Sequence, residues 1–223
     1  MAQTWHDLLF AHWPLPPSAV ATRLPAGLPL DTFDGQAWIG VVPFHMTGIR
    51  LRFTPALPGL SAFPELNVRT YATVGGKPGV VFFSLDAANR VAVAAARRWF
   101  HLPYVHAHMR SRPDGEAIDY VSEREGSPAT FRGRYGPSGP VVRAPPGSLD
   151  HWLTERYCLY VADGHGVLYR GEIHHAPWPL QPAWAEIAVN TMVEPTGLHL
   201  PETAPLLHFS RRLDVRVWGL EPV

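Results

Sequence analysis

Glu65-Leu66-Asn67-Val68-Arg69-Thr70-Tyr71 is the stretch on which the reading of the fold turns. As a β-strand, its period of two puts Glu65, Asn67, Arg69 and Tyr71 on one face and Leu66, Val68 and Thr70 on the other. A carboxylate, an amide, a guanidinium and a phenol in file suit the inside of a polar barrel pocket. Arg69 could clamp a carboxylate through two parallel hydrogen bonds, and a desolvated Glu65 could move protons. The plainer alternative is a solvated strand face carrying a Glu/Arg pair.

Strand signals extend both ways from this stretch. Residues 66–74 and 79–83 flank Gly75-Gly76-Lys77-Pro78, the pattern of a hairpin. Upstream, the turn dipeptide Asp34-Gly35 precedes β-branched and aromatic residues 37–42, then 49–53. Further strands are expected at 104–112, 117–124, 129–135, 157–161, 167–174 and 212–218. Alanine-rich residues 87–100 predict a helix with Ser84 or Asp86 as N-cap, Arg97 and Arg98 in its last turn, and Pro103 as its stop. A second helix is expected from Ser148 to about Arg156. Many antiparallel strands with two or three flanking helices define an α+β class whose sheet is curved or closed, a mostly antiparallel β-barrel.

Composition narrows the function classes. The 223 residues show no repeat period and no long low-complexity linker, so one domain over residues 1–223 is expected. The 24 prolines are spread along the chain and mark many short turns. Nineteen basic and 19 acidic residues cancel, which argues against a nucleic-acid or basic membrane-surface partner. The single Cys158 excludes an internal disulfide and any multi-cysteine metal centre. The N-terminal residues lack the basic and apolar regions of a signal peptide, and no apolar run approaches the ~20 residues that span a bilayer. A cytoplasmic location is the expectation, with self-association into a homo-oligomer left open.

No Gly-x-Ser-x-Gly elbow, P-loop or dinucleotide fingerprint is present, and no cofactor is expected. His106 and His108 share one strand face, a spacing used by some zinc sites, but no further ligand is nominated. His174 and His175 point to opposite faces. His12, beside Trp13, reads either as an imidazole against an aromatic wall or as a packed structural residue. Trp178, between two prolines, reads as a core plug or a lid, and Cys158 as a buried structural thiol.

Phe10-Ala11-His12-Trp13-Pro14, Phe63 through Tyr71, Phe83-Ser84-Leu85-Asp86-Ala87, Glu155 through Tyr160 and His175 through Leu180 together resemble the YqjF-like family of uncharacterised bacterial proteins. That family is similar to a branch of the acetoacetate-decarboxylase-like superfamily. The resemblance implies a cone-shaped, mostly antiparallel β-barrel whose lumen holds a small acid or ketone. It also implies a glutamate opening a central strand, matched by Glu65, and a lysine pair after a helix and a proline. Here Pro103 is followed by Tyr104 and Val105, and the only lysine of the chain, Lys77, falls on a hairpin turn. Schiff-base chemistry therefore does not carry over, while the pocket does.

The expected function is binding of a small organic acid or carbonyl compound in the barrel cavity. Glu65 and Arg69 are the candidate catalytic pair, as acid/base and anion clamp. Asn67, Tyr104, His106 and His12 are candidate ligand-binding residues, with Arg97 near the mouth. The alternatives are a non-catalytic interaction protein and a metal-dependent hydrolase using His106 and His108.

Overall fold

The computed structural model describes residues 1–50, 53–56, 59 and 61–223. Along them run β1 (Ala2–Leu15), α1 (Pro17–Ala21), β2 (Ala37–Arg50), β3 (Phe63–Val74), β4 (Lys77–Ala87), α2 (Arg90–Phe100), β5 (Tyr104–Asp114) and β6 (Ala117–Arg124). Then come β7 (Thr130–Pro137), α3 (Leu149–Thr154), β8 (Cys158–Ala162), β9 (Leu168–His175), β10 (Gln181–Asn190) and β11 (Leu206–Pro222). The α+β class, the closed sheet and the flanking helices are as the sequence implied. Part of the strand expected at 49–53 (Leu51 and Arg52) lies outside the described residues.

All the strands join one sheet in the order β1-β2-β3-β4-β5-β6-β7-β10-β11-β9-β8, with β1 also paired to β11 and β4 to β8. The extra pairings close two rings of strands. One passes from β4 through β5, β6, β7 and β10 to β11; the other passes from β4 through β8 and β9 to β11. Strands β1, β2 and β3 belong to both. Their two faces therefore look into two interiors rather than into one interior and solvent.

The side-chain alternation sorts residues between these interiors. Leu9, Ala11, Ile39, Val41, Leu66 and Val68 join Ile118, Tyr120, Phe131 and Phe209 in a packed core inside the first ring. Leu8, Phe10, Val42, Phe44, Met46 and Tyr71 face the second ring with Leu159, Ile173 and Trp178. Leu66, Val68 and Thr70 are as fully buried as the polar file opposite them. Tyr120 ties the two sides together by donating its hydroxyl proton to the Glu65 carbonyl at 2.7 Å.

The strand β1 has no alternation in sequence because its inner stretch, Leu8 to Ala11, is apolar and buried on both faces. It was not anticipated, and neither was β10. The N-cap of α2 also differs from expectation. Asn89 caps the helix, its Oδ1 accepting from the backbone N–H groups of Val91 and Ala92 at 3.0 Å each. Ser84 and Asp86 are held in β4 instead, where both accept from the Arg124 guanidinium. Among the described residues no helix is long and apolar enough to cross a membrane.

The second ring depends on a close approach of β4 and β8. A Cβ on Gly79 would lie 2.7 Å from both Cys158 Sγ and Tyr160 Cε2, and 2.9 Å from the Cys158 carbonyl oxygen. Substituting Gly79→Ala should push β8 off β4 and cost about 1–3 kcal/mol, the usual range for overpacking. Urea unfolding of the variant should show a lowered midpoint, and an unchanged midpoint would contradict the tight contact.

Candidate functional site

Inside the second ring lies a cavity of about 230 Å³, smaller than the ~300–1,000 Å³ of drug-sized sites. Glu65, Asn67 and Arg69 all line it, together with Tyr104, Thr154, Arg156, His175 and a largely apolar remainder. β3 supplies the polar file because its alternation sends one residue in two into this interior. The register with β2 sets Glu65 opposite Phe44, Asn67 opposite Val42 and Arg69 opposite Gly40. Gly40 leaves the room Arg69 needs: a Cβ there would meet His12 Nε2 at 2.9 Å and Arg69 Cγ at 3.3 Å.

Glu65 is 3% exposed and accepts a hydrogen bond from the Tyr104 hydroxyl at 2.6 Å. Burial pushes its carboxyl up to about 8; the Tyr104 bond opposes that rise, and the nearby Asp86 adds to it. At neutral pH Glu65 is therefore mostly the uncharged acid, able to donate as well as accept a hydrogen bond. Burial, and then the facing Glu65, raise the Tyr104 phenol well above its ordinary range, so it too stays protonated.

Arg69 is 8% exposed and donates from Nη2 to the Leu153 carbonyl at 3.2 Å. Its guanidinium lies over the Phe10 ring at 5.1 Å and the Tyr71 ring at 5.7 Å. Among the described residues its Nε has no hydrogen-bond partner, and neither does the Asn67 Oδ1. Among the described residues no carboxylate pairs with Arg69. The neighbouring acids are committed elsewhere: Asp31 to Arg156 at 2.8 Å, and Asp86 to Arg124 at 2.6 Å. Burying an uncompensated cation costs several kcal/mol.

The groups behind Arg69 are neutral. Burial holds the His12 imidazole well below its usual range, and the charge of Arg69 adds to that. The Tyr71 hydroxyl donates to the Leu153 carbonyl at 2.9 Å and lies 2.7 Å from His12 Nε2. With the phenol proton committed to Leu153, His12 donates from Nε2–H to Tyr71, and its Nδ1 is left without a partner.

Three residues expected at the site stand elsewhere. His12 is fully buried behind Tyr71 and does not reach the open volume. His106 is bound through Nδ1 to Glu125 at 3.0 Å, because β5 leaves β4 after the pairing of Ala87 with His106 and follows β6. Arg97 lies about 140° around the helix from Ala92 and faces a shallow groove with Arg23 and Arg124 rather than the cavity. The His106 and His108 rings meet edge to face at 5.4 Å, and no cluster of three metal-ligating side chains occurs among the described residues.

Other lining residues escaped the sequence reading. Arg156 donates from Nε to the Trp152 carbonyl at 2.6 Å, and its Nη2 has no partner among the described residues. Trp178, 2% exposed, packs edge-on against Phe10 at 4.8 Å, and its indole N–H has no partner. His175 hydrogen-bonds the Ala176 carbonyl through Nδ1 at 2.7 Å, which sets its tautomer. A resemblance motif contained each of them, but no local pattern assigned them a pocket. Lys77 lies outside the lining and forms an ion pair with Glu172 at 2.5 Å.

This ring of strands around a cavity is the fold of the acetoacetate-decarboxylase-like proteins. An acetoacetate decarboxylase from Legionella pneumophila is 10% identical, with a TM-score of 0.65, covering 100% of this chain and 86% of its own. The enduracididine biosynthesis enzyme MppR, complexed with pyruvate, is 13% identical, with a TM-score of 0.69, covering 99% of this chain and 89% of its own. At these identities the likeness establishes the fold alone. Within that class the chain belongs to the DUF2071 family, described as "Uncharacterized conserved protein (COG2071)", whose model matches residues 2–214. The YqjF protein of Bacillus subtilis (strain 168) is 52% identical over 221 residues, covering 99% of this chain and 91% of that protein.

The raised carboxyl of Glu65 has a consequence for stability. An acid whose folded-state value exceeds its unfolded one makes stability fall as pH rises between the two, here from about 4.5 to about 8. The Glu65→Gln variant should match the parent near pH 4.5. By pH 8.5 it should exceed the parent by an amount on the order of a few kcal/mol. Denaturant titrations at both pH values test this; parallel curves would show that Glu65 ionises normally.

Proposed function

We propose that the protein binds a small organic acid or carbonyl compound in the cavity of the second ring, without Schiff-base lysine chemistry. The observation that carries this reading is the buried Arg69 guanidinium, which lines the cavity, has an unpartnered Nε and has no counter-ion among the described residues. A ligand carboxylate would accept from Arg69 and relieve its desolvation. Arg156, which lines the same cavity, is the second donor. The Asn67 Oδ1 would take a hydroxyl or amide proton of the ligand.

Glu65 and Tyr104 then face the remainder of a bound oxo acid. A protonated Glu65 can donate to a carbonyl oxygen, and once ionised it can accept a proton from the adjacent carbon. Turnover, where it occurs, is acid/base chemistry on a small carbonyl or carboxylate substrate. MppR's complex with pyruvate makes that oxo acid a sensible first probe.

Isothermal titration with pyruvate should show binding that Arg69→Gln weakens by about tenfold or more, as expected for losing a charge-assisted hydrogen bond of ~1.5–3 kcal/mol. The substitution removes a cation with no counter-ion, so the fold should survive it. Binding that is indifferent to Arg69 would refute the clamp. Borohydride added with pyruvate should leave the mass of the protein unchanged; an adduct on Lys77 would overturn the lysine-free reading.

A further inference from the structure

The cavity is not uniform along its length. The β2–β3 register supplies a depth scale: Arg69 opposite Gly40, Glu65 opposite Phe44, Phe63 opposite Met46. From Arg69 to Phe63 is about 20 Å at ~3.3 Å per residue. On β3 the polar lining residues occupy the stretch from Arg69 to Glu65. Beyond Glu65, the lining from β2 and β3 is Met46, Ile49 and Phe63.

The roof over this outer part is α2. Ala92, Ala95, Ala96, Trp99 and Phe100 line the cavity, at i, i+3, i+4, i+7 and i+8. They form one stripe of the helix. The three alanines stop short of the opposite wall and keep the volume open. Trp99 is 69% exposed and sits at the rim. Arg69 and Asn67 are each more than nine-tenths buried, line the cavity and carry an unpartnered polar atom.

A three-carbon acid held at Arg69 would leave the apolar outer part facing water. Resting on the carboxylate reading above, we propose that the ligand is an amphipathic monocarboxylic acid. Its carboxylate meets Arg69, and its unbranched or aryl tail lies under the alanine stripe of α2 toward Trp99. Burial of the tail adds affinity that a short oxo acid cannot obtain.

The test is isothermal titration of the full chain with butyrate, hexanoate and octanoate. The dissociation constant should fall about fourfold per added methylene, the value for burying a CH₂ group. Ala95→Leu, which fills the outer part, should abolish the gain in affinity from butyrate to octanoate. Arg69→Gln should weaken all three acids. Affinity that does not change with chain length in the parent, while Arg69-dependent binding of pyruvate persists, would overturn the tail and leave the carboxylate site standing. Failure of every acid, pyruvate included, would overturn both. Chain-length dependence that is unaffected by Arg69→Gln would overturn the placement of the head group.

Discussion

Two-sided burial of β1, β2 and β3 is the constraint on which everything else rests. These strands form a wall between a packed core and a cavity, so neither face can rely on water. On the core face the requirement is simple volume filling, met by Ile39, Val41, Leu66 and Val68. On the cavity face each polar group needs a partner, a shifted protonation state or a ligand. Glu65 has the first two, in Tyr104 and its raised carboxyl. Arg69 has the Leu153 carbonyl and the faces of Phe10 and Tyr71, with no carboxylate among the described residues.

Arg156 and Arg69 make an instructive pair. Both guanidiniums lie against the Tyr71 ring, at 4.9 and 5.7 Å. Arg156 is neutralised by Asp31, so its charge is accounted for within the chain. Arg69 has no carboxylate partner among the described residues, in a region of low dielectric. The chain's single lysine is used at the surface of the second ring, in its pair with Glu172. At the position where the resemblance implies a lysine stands Tyr104, bound to Glu65. The cavity lining holds a hydrogen-bonded acid, Glu65, and a cation, Arg69, while Lys77 lies outside it.

Much of this was legible in local sequence. The alternation of Glu65 through Tyr71 placed the polar file together, and the Gly75-Gly76 turn placed β3 beside β4. Trp178 and Cys158 are buried, as their neighbours suggested. Other parts were hidden for definable reasons. β1 shows no period of two because consecutive apolar residues, Leu8 to Ala11, are buried on both of its faces. Asn89 outcompeted Ser84 and Asp86 as N-cap because β4 keeps its ladder to Ala87. His106 followed β5 away from the cavity, although it shares a strand face with Tyr104.

By itself, the sequence determined which side chains share a strand face, how many lysines the chain has, and which family motifs it carries. These are matters of period, count and identity, and they require no knowledge of what lies across the sheet. Only the tertiary structure decided that both faces of β3 are buried and that Arg69 has no counter-ion among the described residues. It also decided that Glu65 holds its proton near neutral pH, and that Arg156, His175 and Trp178 converge on the same space from distant parts of the chain. Desolvation depends on the sum of neighbours in three dimensions, and sequence spacing does not record that sum.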